Sequence, residues 1–179
     1  MRSSTPFRGD PPIHREFVLL GSPVGHTISP RIHAAAFRVW GVDASYRAVE
    51  IAAPEVASAV ARAAAAGGGN VTLPYKRDVA ALLDRATPEV EATGACNCFW
   101  GTRGGAIAGD NTDVGGFIRA LADMGCDPAG RPVLLLGAGG GARAVVRALD
   151  FLGAGPIAVW NRTPSRALAL AADMGGRVE

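Results

Sequence analysis

The stretch PVLLLGAGGGA, residues 132–142, decides the fold of this chain. An apolar run predicts a strand over 132–136, the glycines predict a tight turn, and the apolar period that follows predicts a helix over 142–152. This order is the context that the dinucleotide-binding fingerprint requires, because such a loop brings backbone N–H groups and the positive end of a helix to a pyrophosphate. The predicted cofactor loop consists of Gly137, Ala138, Gly139, Gly140, Gly141 and Ala142.

The residues after the next predicted strand, 157–160, indicate which dinucleotide is bound. A site for NAD would carry Asp or Glu there to hold the ribose hydroxyls. This chain instead has Asn161, Arg162 and Thr163, with Arg166 one helical turn further on. Two guanidinium groups and a hydroxyl suit a 2′-phosphate, because arginine binds phosphate through a planar fork of donors. We therefore predict NADP(H) as the cofactor; the alternative is that both arginines belong to an ordinary solvated helix start.

Upstream of the loop, short apolar runs alternate with alanine-rich segments of helical period. Such alternation predicts an α/β fold with a parallel sheet and helical crossovers. Pro and Gly cluster over 127–131, which predicts a linker between two units. We predict further strands at 16–20, 45–51 and 70–73, a hairpin around 101–105, and helices at 30–40, 54–66, 75–83, 113–124 and 165–174.

The composition argues against several classes of protein. The 179 residues suffice for one ordinary domain or two small ones, and 18 basic side chains nearly balance 16 acidic ones. This balance argues against nucleic acid and membrane surfaces as partners, and no run is apolar enough to cross a bilayer. Three cysteines, an odd number, indicate the reduced thiols of a cytoplasmic protein. The cysteines and histidines are not spaced for a metal site.

Two polar segments precede predicted helices. Thr27 and Ser29 place two hydroxyls just before the helix at 30–40, where they could bind an anion such as a carboxylate; the alternative is that Ser29 caps the helix. Lys76 stands at the start of the helix at 75–83, where the helix dipole opposes a positive charge. A lysine in that position is a candidate for proton exchange, and the alternative is an ordinary surface lysine.

Two further polar positions are candidates for a site. Asp113 opens a predicted helix, and Asn111 or Thr112 is its candidate cap. Asn97 lies between two cysteines in an otherwise apolar strand. A buried amide without partners costs roughly 1–3 kcal/mol, so a bound polyol would be a suitable partner for Asn97.

In order and spacing, these segments resemble the shikimate dehydrogenases from Phe17 to about Asp173. The glycine loop and the residues after strand 157–160 resemble the NADP-binding elements of that family. Four segments ahead of the loop resemble its substrate-binding and catalytic motifs; they are GSPVGHTISPRIH at 21–33, NVTLPYK at 70–76, GACN at 94–97 and GDNTDVGG at 109–116.

The resemblance implies the NADPH-dependent, reversible reduction of 3-dehydroshikimate to shikimate. It implies that Thr27 and Ser29 hold the substrate carboxylate and that Asn70 shapes the pocket. Lys76 is then the catalytic residue that transfers the proton, with Asp113 as its catalytic partner. The residues implied to bind the ring hydroxyls are Thr72, Asn97 and Asp113.

The resemblance also implies a domain layout. We expect a loose tail over 1–15, a substrate-binding catalytic α/β domain over 16–112, a connecting helix and linker over 113–130, and an incomplete Rossmann NADP-binding domain over 131–179. A homodimer is a further expectation. Because the family's Rossmann domain has more than two strands, we expect this chain by itself to be inactive or nearly so. We also expect an apolar sheet face to be left uncovered.

Three positions depart from the family pattern. Thr27 stands where serine is more usual, which is compatible with a preference for quinate or an aminoshikimate. Cys96 and Cys98 flank Asn97 where an aliphatic residue and a threonine are typical, so packing is kept and one hydroxyl contact is lost. Two other interpretations stay open: a non-catalytic relative that binds a cyclohexene carboxylate, and an unrelated Rossmann enzyme such as a glutamyl-tRNA reductase.

Overall fold

The computed structural model describes residues 15–175, which contain two sheets. The strands are β1 (Arg15–Gly21), β2 (Ala44–Glu50), β3 (Gly67–Val71), β4 (Arg85–Ala86), β5 (Cys98–Gly101), β6 (Ile107–Asp110), β7 (Val133–Leu136) and β8 (Ile157–Trp160). The larger sheet has the order β2-β1-β3-β5-β6-β4, and β7 and β8 form a separate parallel pair. The predicted α/β class is confirmed.

Seven helices lie in the described part of the chain. They are α1 (Ser29–Trp40), α2 (Val56–Ala66), α3 (Lys76–Ala80), α4 (Pro88–Thr93), α5 (Thr112–Asp123), α6 (Ala142–Phe151) and α7 (Pro164–Met174). The helix predicted over 54–66 begins as a 3₁₀ turn at Ala53–Glu55, and the helix predicted over 75–83 ends early. Of the predicted tail over 1–15, residues 1–14 lie outside the described residues, and Arg15 already belongs to β1.

The larger sheet is mixed and not purely parallel. β1 pairs in parallel with β2 on one side and with β3 on the other. β5 runs antiparallel to both β3 and β6, so the predicted hairpin is confirmed. The turn between β5 and β6 closes with Thr102 N donating to Ala106 O at 2.8 Å, and so short a connection can join only antiparallel strands.

The strand predicted at 70–73 instead spans Gly67–Val71, which makes that boundary wrong. Glycines 67–69, which directly follow the helix predicted at 54–66, form the first part of the strand and pair with β1. Gly68 has φ +131°, and a Cβ there would collide with the backbone of Phe99 on β5. Glycine is therefore required at position 68 because strands β3 and β5 approach each other closely. A sequence pattern gives no sign of how closely two strands approach.

The main core lies between the larger sheet and helices α2 and α3. Val60 of α2, Val79 of α3 and Phe99 of β5 are at most 1% exposed. Burying a side chain of this size contributes about 1.5–3 kcal/mol. The core therefore fixes how α3, which carries Lys76, sits on the sheet.

A smaller unit contains β7, β8, α6 and α7. Its core is formed by Val146, Leu149, Ile157 and Leu170. Ala144 and Ala148 of α6 pack against Val114 of α5, so α5 joins the two units. The opposite face of β7 and β8 is exposed, as expected, at Leu134, Leu136 and Trp160.

The polar segments meet at one edge of the larger sheet. Strands β1, β3 and β6 run in the same direction and end at this edge, and the antiparallel β5 begins there. Backbone hydrogen bonds join the chain after β1 to the chain after β3: Thr72 N donates to Leu20 O at 2.8 Å, and Ser22 N donates to Leu73 O at 3.1 Å. Ligands of α/β proteins bind at the carboxyl ends of the strands, so the fold places the candidate residues where a site is expected.

Candidate active site

Lys76 and Asp113 form an ion pair at this edge. Lys76 is the only lysine in the sequence, since the other basic side chains are arginine. Its Nζ lies 2.5 Å from Asp113 Oδ2, and the two side chains are 16% and 38% exposed. The pair joins the first turn of α3 to the first turn of α5 across 37 residues of sequence. Lys76 is thus mostly buried against a carboxylate and is not an ordinary surface lysine.

Asn97 connects Asp113 to the backbone at the start of α5. The Asn97 side-chain amide is buried, and its Nδ2 donates to Asp113 Oδ1 at 2.7 Å. Its Oδ1 accepts from Thr112 N at 2.9 Å and from Thr112 Oγ1 at 3.1 Å. The partners that we expected a polyol to supply thus come from the chain itself. The Asn97 amide nitrogen carries two N–H bonds, and one of them donates to Asp113.

Asn111 caps α5, as one of the sequence alternatives predicted. Its Oδ1 accepts from Asp113 N at 3.2 Å. Its Nδ2 donates to Thr93 Oγ1 at 3.0 Å and to Ala95 O at 3.1 Å, and the residue is 2% exposed. Two buried amides, Asn97 and Asn111, therefore fix the first turn of α5 and with it the Asp113 carboxylate.

Asn70 lies near the end of β3, beside this network. Its Oδ1 accepts from Tyr46 Oη at 2.8 Å, and its Nδ2 donates to Asn97 O at 3.1 Å. Thr72 follows two residues later, with a half-buried side chain in the loop that leads to Lys76. The structure thus joins four of the predicted residues in one hydrogen-bond network, Asn70, Lys76, Asn97 and Asp113. Thr72 lies in the loop between Asn70 and Lys76.

Thr27 and Ser29 lie on the neighbouring loop after β1. Thr27 Oγ1 donates to Ser29 Oγ at 3.0 Å and accepts from Ser29 N at 3.2 Å, so the two hydroxyls are adjacent. The alternative that Ser29 caps α1 is wrong: the helix already includes Ser29, and the cap position falls on Ile28, which has no polar side chain. Both hydroxyl residues are half-buried.

The glycine loop lies between β7 and α6, as predicted. Gly137 has φ +113°, a conformation that favours glycine, and its N–H donates to Trp160 O at 2.8 Å. Asn161 Oδ1 accepts from Ala138 N at 3.1 Å, and Asn161 Nδ2 donates to Thr163 O at 2.8 Å. Asn161 therefore fastens the loop to the end of β8.

The loop has the open surface that a dinucleotide needs. A Cβ added at Gly139 or Gly141 would meet no atom within 4 Å, so packing does not require glycine at either position. A side chain there would instead fill the space in front of the first turn of α6. Ala142, the first residue of α6, is buried, which lets helix and strand pack closely. These residues fit a pyrophosphate at the helix start.

A cleft of about 310 Å³ extends from the loop to Lys76 of the ion pair. Arg162 and Thr163 are exposed at the start of α7, outside the lining of this cleft, whereas Arg166 lines it. A larger concavity of about 1090 Å³ runs along the outer face of α1 and contains none of the predicted residues. The lining of the cleft includes Leu73, Lys76, Gly139, Gly140, Arg143 and Arg166.

Sequence reasoning missed two features of the site. Arg143 of α6 is 15% exposed; it pairs with the Asp173 carboxylate and donates to Thr93 O at 3.3 Å, which ties α6 to the end of α4. Tyr46 stacks on His33, with ring centroids 4.0 Å apart, and reaches Asn70. Only the position of Tyr46 in an alternating strand gave a signal for it, and no local pattern marks Arg143.

The cysteines near the site are poor nucleophiles. Burial raises the pKa of Cys96 to about 11, and burial followed by the nearby Asp110 carboxylate raises the pKa of Cys98. Across residues 15–175 no three His, Cys, Asp or Glu side chains are grouped as a metal site would require. In the same part of the chain, no helix is long and apolar enough to span a membrane.

Comparison with known proteins places the chain in a family. The family described as "Shikimate dehydrogenase substrate binding domain" matches residues 19–99. A shikimate dehydrogenase (NADP(+)) of Citrifermentans bemidjiense is 43% identical over 163 residues, which is 89% of this chain and 56% of that protein. The chain therefore spans about half the length of the curated relatives it matches.

Solved structures of similar fold include a shikimate dehydrogenase and a reductase named for another substrate. The shikimate 5-dehydrogenase of Thermus thermophilus, in complex with NADP(H) and shikimate, has a TM-score of 0.82 and 41% identity, covering 92% of this chain and 62% of that one. The ligand-free 5-ketofructose reductase of a Gluconobacter strain has a TM-score of 0.79 and 33% identity, covering 89% and 58%. From its sequence motifs, its site geometry and these relatives, the chain belongs to the shikimate dehydrogenase family.

Proposed function

We propose that this chain carries the substrate site and the proton-transfer residues of an NADP-dependent shikimate dehydrogenase, which reduces 3-dehydroshikimate reversibly to shikimate. The observation that carries the proposal is the contact of Asp113 with Lys76, a residue that lines the same cleft as the glycine loop. Among the 18 basic side chains, Lys76 alone is a lysine. Arginine keeps its proton near neutral pH, whereas lysine can release one, so among the lysine and arginine side chains only the one at this site is suited to proton exchange.

In the direction of reduction, the Lys76 ammonium gives a proton to the ketone oxygen, and in the reverse direction the amine takes it back. Asp113 holds the Lys76 side chain in place and binds a ring hydroxyl together with Thr72 and Asn97. General acid–base catalysis of this kind typically contributes ~10²–10⁴-fold to the rate. The chemistry that NADPH supplies when bound is hydride transfer to the carbonyl carbon.

The substrate carboxylate binds to Thr27 and Ser29 in this proposal. Their adjacent, half-buried hydroxyls on the loop after β1 support that role. Asn70 shapes the pocket between this loop and Asp113. The relative from Thermus thermophilus has been solved with shikimate bound, which supports a cyclic hydroxy acid as the ligand class.

The cofactor is NADP(H) in this proposal. The glycine loop, 137–142, holds the pyrophosphate, and Asn161 positions that loop through Ala138. Arg166, which lines the cleft, binds the 2′-phosphate with Arg162 and Thr163 beside it. The Thermus thermophilus relative has been solved in complex with NADP(H), which supports this assignment.

We propose the predicted domain layout of 16–112, 113–130 and 131–179, which the two sheets and their separate cores support. For assembly we propose a homodimer, which is supported by exposed apolar side chains on α1 such as Ile32 and Trp40. Sedimentation velocity tests this assembly. Three free cysteines support a cytoplasmic location, and cell fractionation tests it.

The central experiment separates binding from turnover. Shikimate binding to the chain is measured by calorimetry, and NADP⁺ reduction is measured on the chain joined to the C-terminal part of the Thermus thermophilus relative. Lys76→Ala and Lys76→Arg are compared with the unchanged protein. Lys76→Arg keeps the positive charge beside Asp113 but cannot exchange a proton, so both variants should lose about 10²–10⁴-fold in kcat. Unchanged turnover in Lys76→Arg, or no shikimate binding by the folded chain, would refute the proposal.

Quinate or an aminoshikimate is the second candidate substrate, and the methyl group of Thr27 favours it. The same turnover assay with quinate in place of shikimate measures the substrate preference, and the assay with NAD⁺ in place of NADP⁺ measures the cofactor preference. Thr27→Ser, which removes only the methyl group, is the matched variant. A rise in the shikimate-to-quinate ratio of kcat/KM in Thr27→Ser would support a role for that methyl group.

A further inference from the structure

Tyr46 reaches the candidate site from the edge of the larger sheet. It lies on β2, the outer strand, opposite Phe17 of β1. Its hydroxyl passes over β1 and donates to Asn70 Oδ1 on β3 at 2.8 Å. His33 of α1 stacks against the ring, with centroids 4.0 Å apart and planes 2° apart. The orientation of the Tyr46 side chain is therefore fixed by two contacts, the ring stacking with His33 of α1 and the hydrogen bond to the Asn70 amide.

The network allows one orientation of the Asn70 amide. Asn97 O is a carbonyl oxygen and can only accept, so the Asn70 nitrogen must face it, at 3.1 Å. The Asn70 oxygen then faces the Tyr46 hydroxyl, which donates. Burial, and to a lesser degree nearby Cys98, raise the pKa of Tyr46 to about 12, so this hydroxyl keeps its proton throughout the neutral range.

The same bonds lead on to the ion pair. Asn97 accepts from Asn70 through its backbone oxygen and donates to Asp113 through its side chain. Asp113 in turn binds Lys76. Hydrogen bonds, linked at Asn97 through the covalent bonds between its backbone and its side chain, thus connect Tyr46 to the only lysine of the molecule.

We propose that Tyr46 is a positioning residue: its hydroxyl fixes the Asn70 amide so that the second N–H and the remaining lone pair of that amide face a ligand in a set direction. The inference rests on the proposed function for the identity of that ligand, a cyclic hydroxy acid. Tyr46 itself does not contact the reacting atoms. Loss of its hydroxyl leaves the Asn70 oxygen without its donor, so that only the bond from the Asn70 nitrogen to Asn97 O still holds the amide.

Tyr46→Phe tests the proposal, and Tyr75→Phe is its matched control. Tyr75 also donates one hydroxyl hydrogen bond, to Ile51 O at 2.9 Å, but this bond lies in the buried core. The side-chain amide of Asn70 is followed in nitrogen-15 correlation spectra and assigned with Asn70→Ser. Shikimate affinity of the same chains is measured by calorimetry.

We expect the Asn70 amide resonances to shift in Tyr46→Phe and to stay in place in Tyr75→Phe. Shikimate binding should weaken by roughly tenfold in Tyr46→Phe only, the effect of losing about one hydrogen bond. Unchanged Asn70 resonances in Tyr46→Phe would overturn the proposal, and so would a shift without any loss of affinity. Absence of shikimate binding by the unchanged chain would refute the proposed function, and the amide spectrum would then decide alone whether Tyr46 orients Asn70.

Discussion

Asn97 and Asp113 are joined by a hydrogen bond of 2.7 Å that ties the residue before β5 to the start of α5. The amide oxygen of Asn97 also accepts from Thr112 N, the residue just before Asp113. One side chain therefore both satisfies a backbone donor of the first turn of α5 and directs the carboxylate that meets Lys76.

This double role predicts the effect of Asn97→Ala. The change leaves Thr112 N without its acceptor and removes a donor from Asp113, so we expect the free energy of unfolding to fall by roughly 1–3 kcal/mol. Urea denaturation measures the change. Asn161→Ala, which removes an amide from the smaller unit, is the control for loss of an amide outside this network. Equal stability of Asn97→Ala and the unchanged chain would contradict the assignment.

The thiols should differ in reactivity by position. Thiolate is the reactive form, and the raised pKa values of Cys96 and Cys98 keep both protonated at about pH 8. Cys126 is exposed. We expect an aromatic disulfide reagent to label Cys126 rapidly and to label the other two only after unfolding. Cys126→Ser should abolish the rapid phase, and a rapid phase that survives in this variant would contradict the prediction.

His33 should make the stability of the chain depend on pH. Burial lowers the pKa of His33 below its ordinary value of 6.5, so the unfolded chain binds this proton more readily than the native chain. Stability should therefore fall as pH drops through 6.5 toward the lower native pKa, and His33 should have no effect on the pH dependence above that window.

The variant His33→Phe isolates this contribution. Phenylalanine keeps a flat ring against Tyr46 and cannot take up a proton. The free energies of unfolding at about pH 7.5 and about pH 5.5 are compared in both proteins. We expect a smaller loss on acidification in His33→Phe, and an identical loss in the two proteins would rule out the effect.

The sequence predicted elements best where local signals bounded them. Strand β8 matches the predicted 157–160 residue for residue, because turn residues flank a short apolar run. Helix α4 escaped prediction because six residues show too little of a helical period. Tyr46 escaped because its hydrogen-bond partner lies two strands away in the sheet. Local patterns thus located the polar segments, whereas the contacts among them depend on how the strands are ordered.

Strand β3 shows why one boundary failed. The pattern of three glycines normally ends a helix, and Gly67 does follow α2 directly. The glycines continue as a strand because the neighbouring strands β1 and β5 approach too closely for a side chain. This close approach can be seen only in the tertiary structure.

Gly68→Ala tests that explanation. A Cβ would meet the backbone of Phe99, which cannot move aside as a flexible side chain would, and φ +131° is unfavourable for alanine. We expect a loss of roughly 1–3 kcal/mol from overpacking and a further loss of about 1–3 kcal/mol from the backbone conformation. Gly104→Ala is the matched control, because a Cβ at this exposed hairpin position meets no atom within 4 Å. Thermal and urea unfolding of both variants measure the difference, and a Gly68→Ala chain as stable as Gly104→Ala would show that the strands can separate to admit a methyl group.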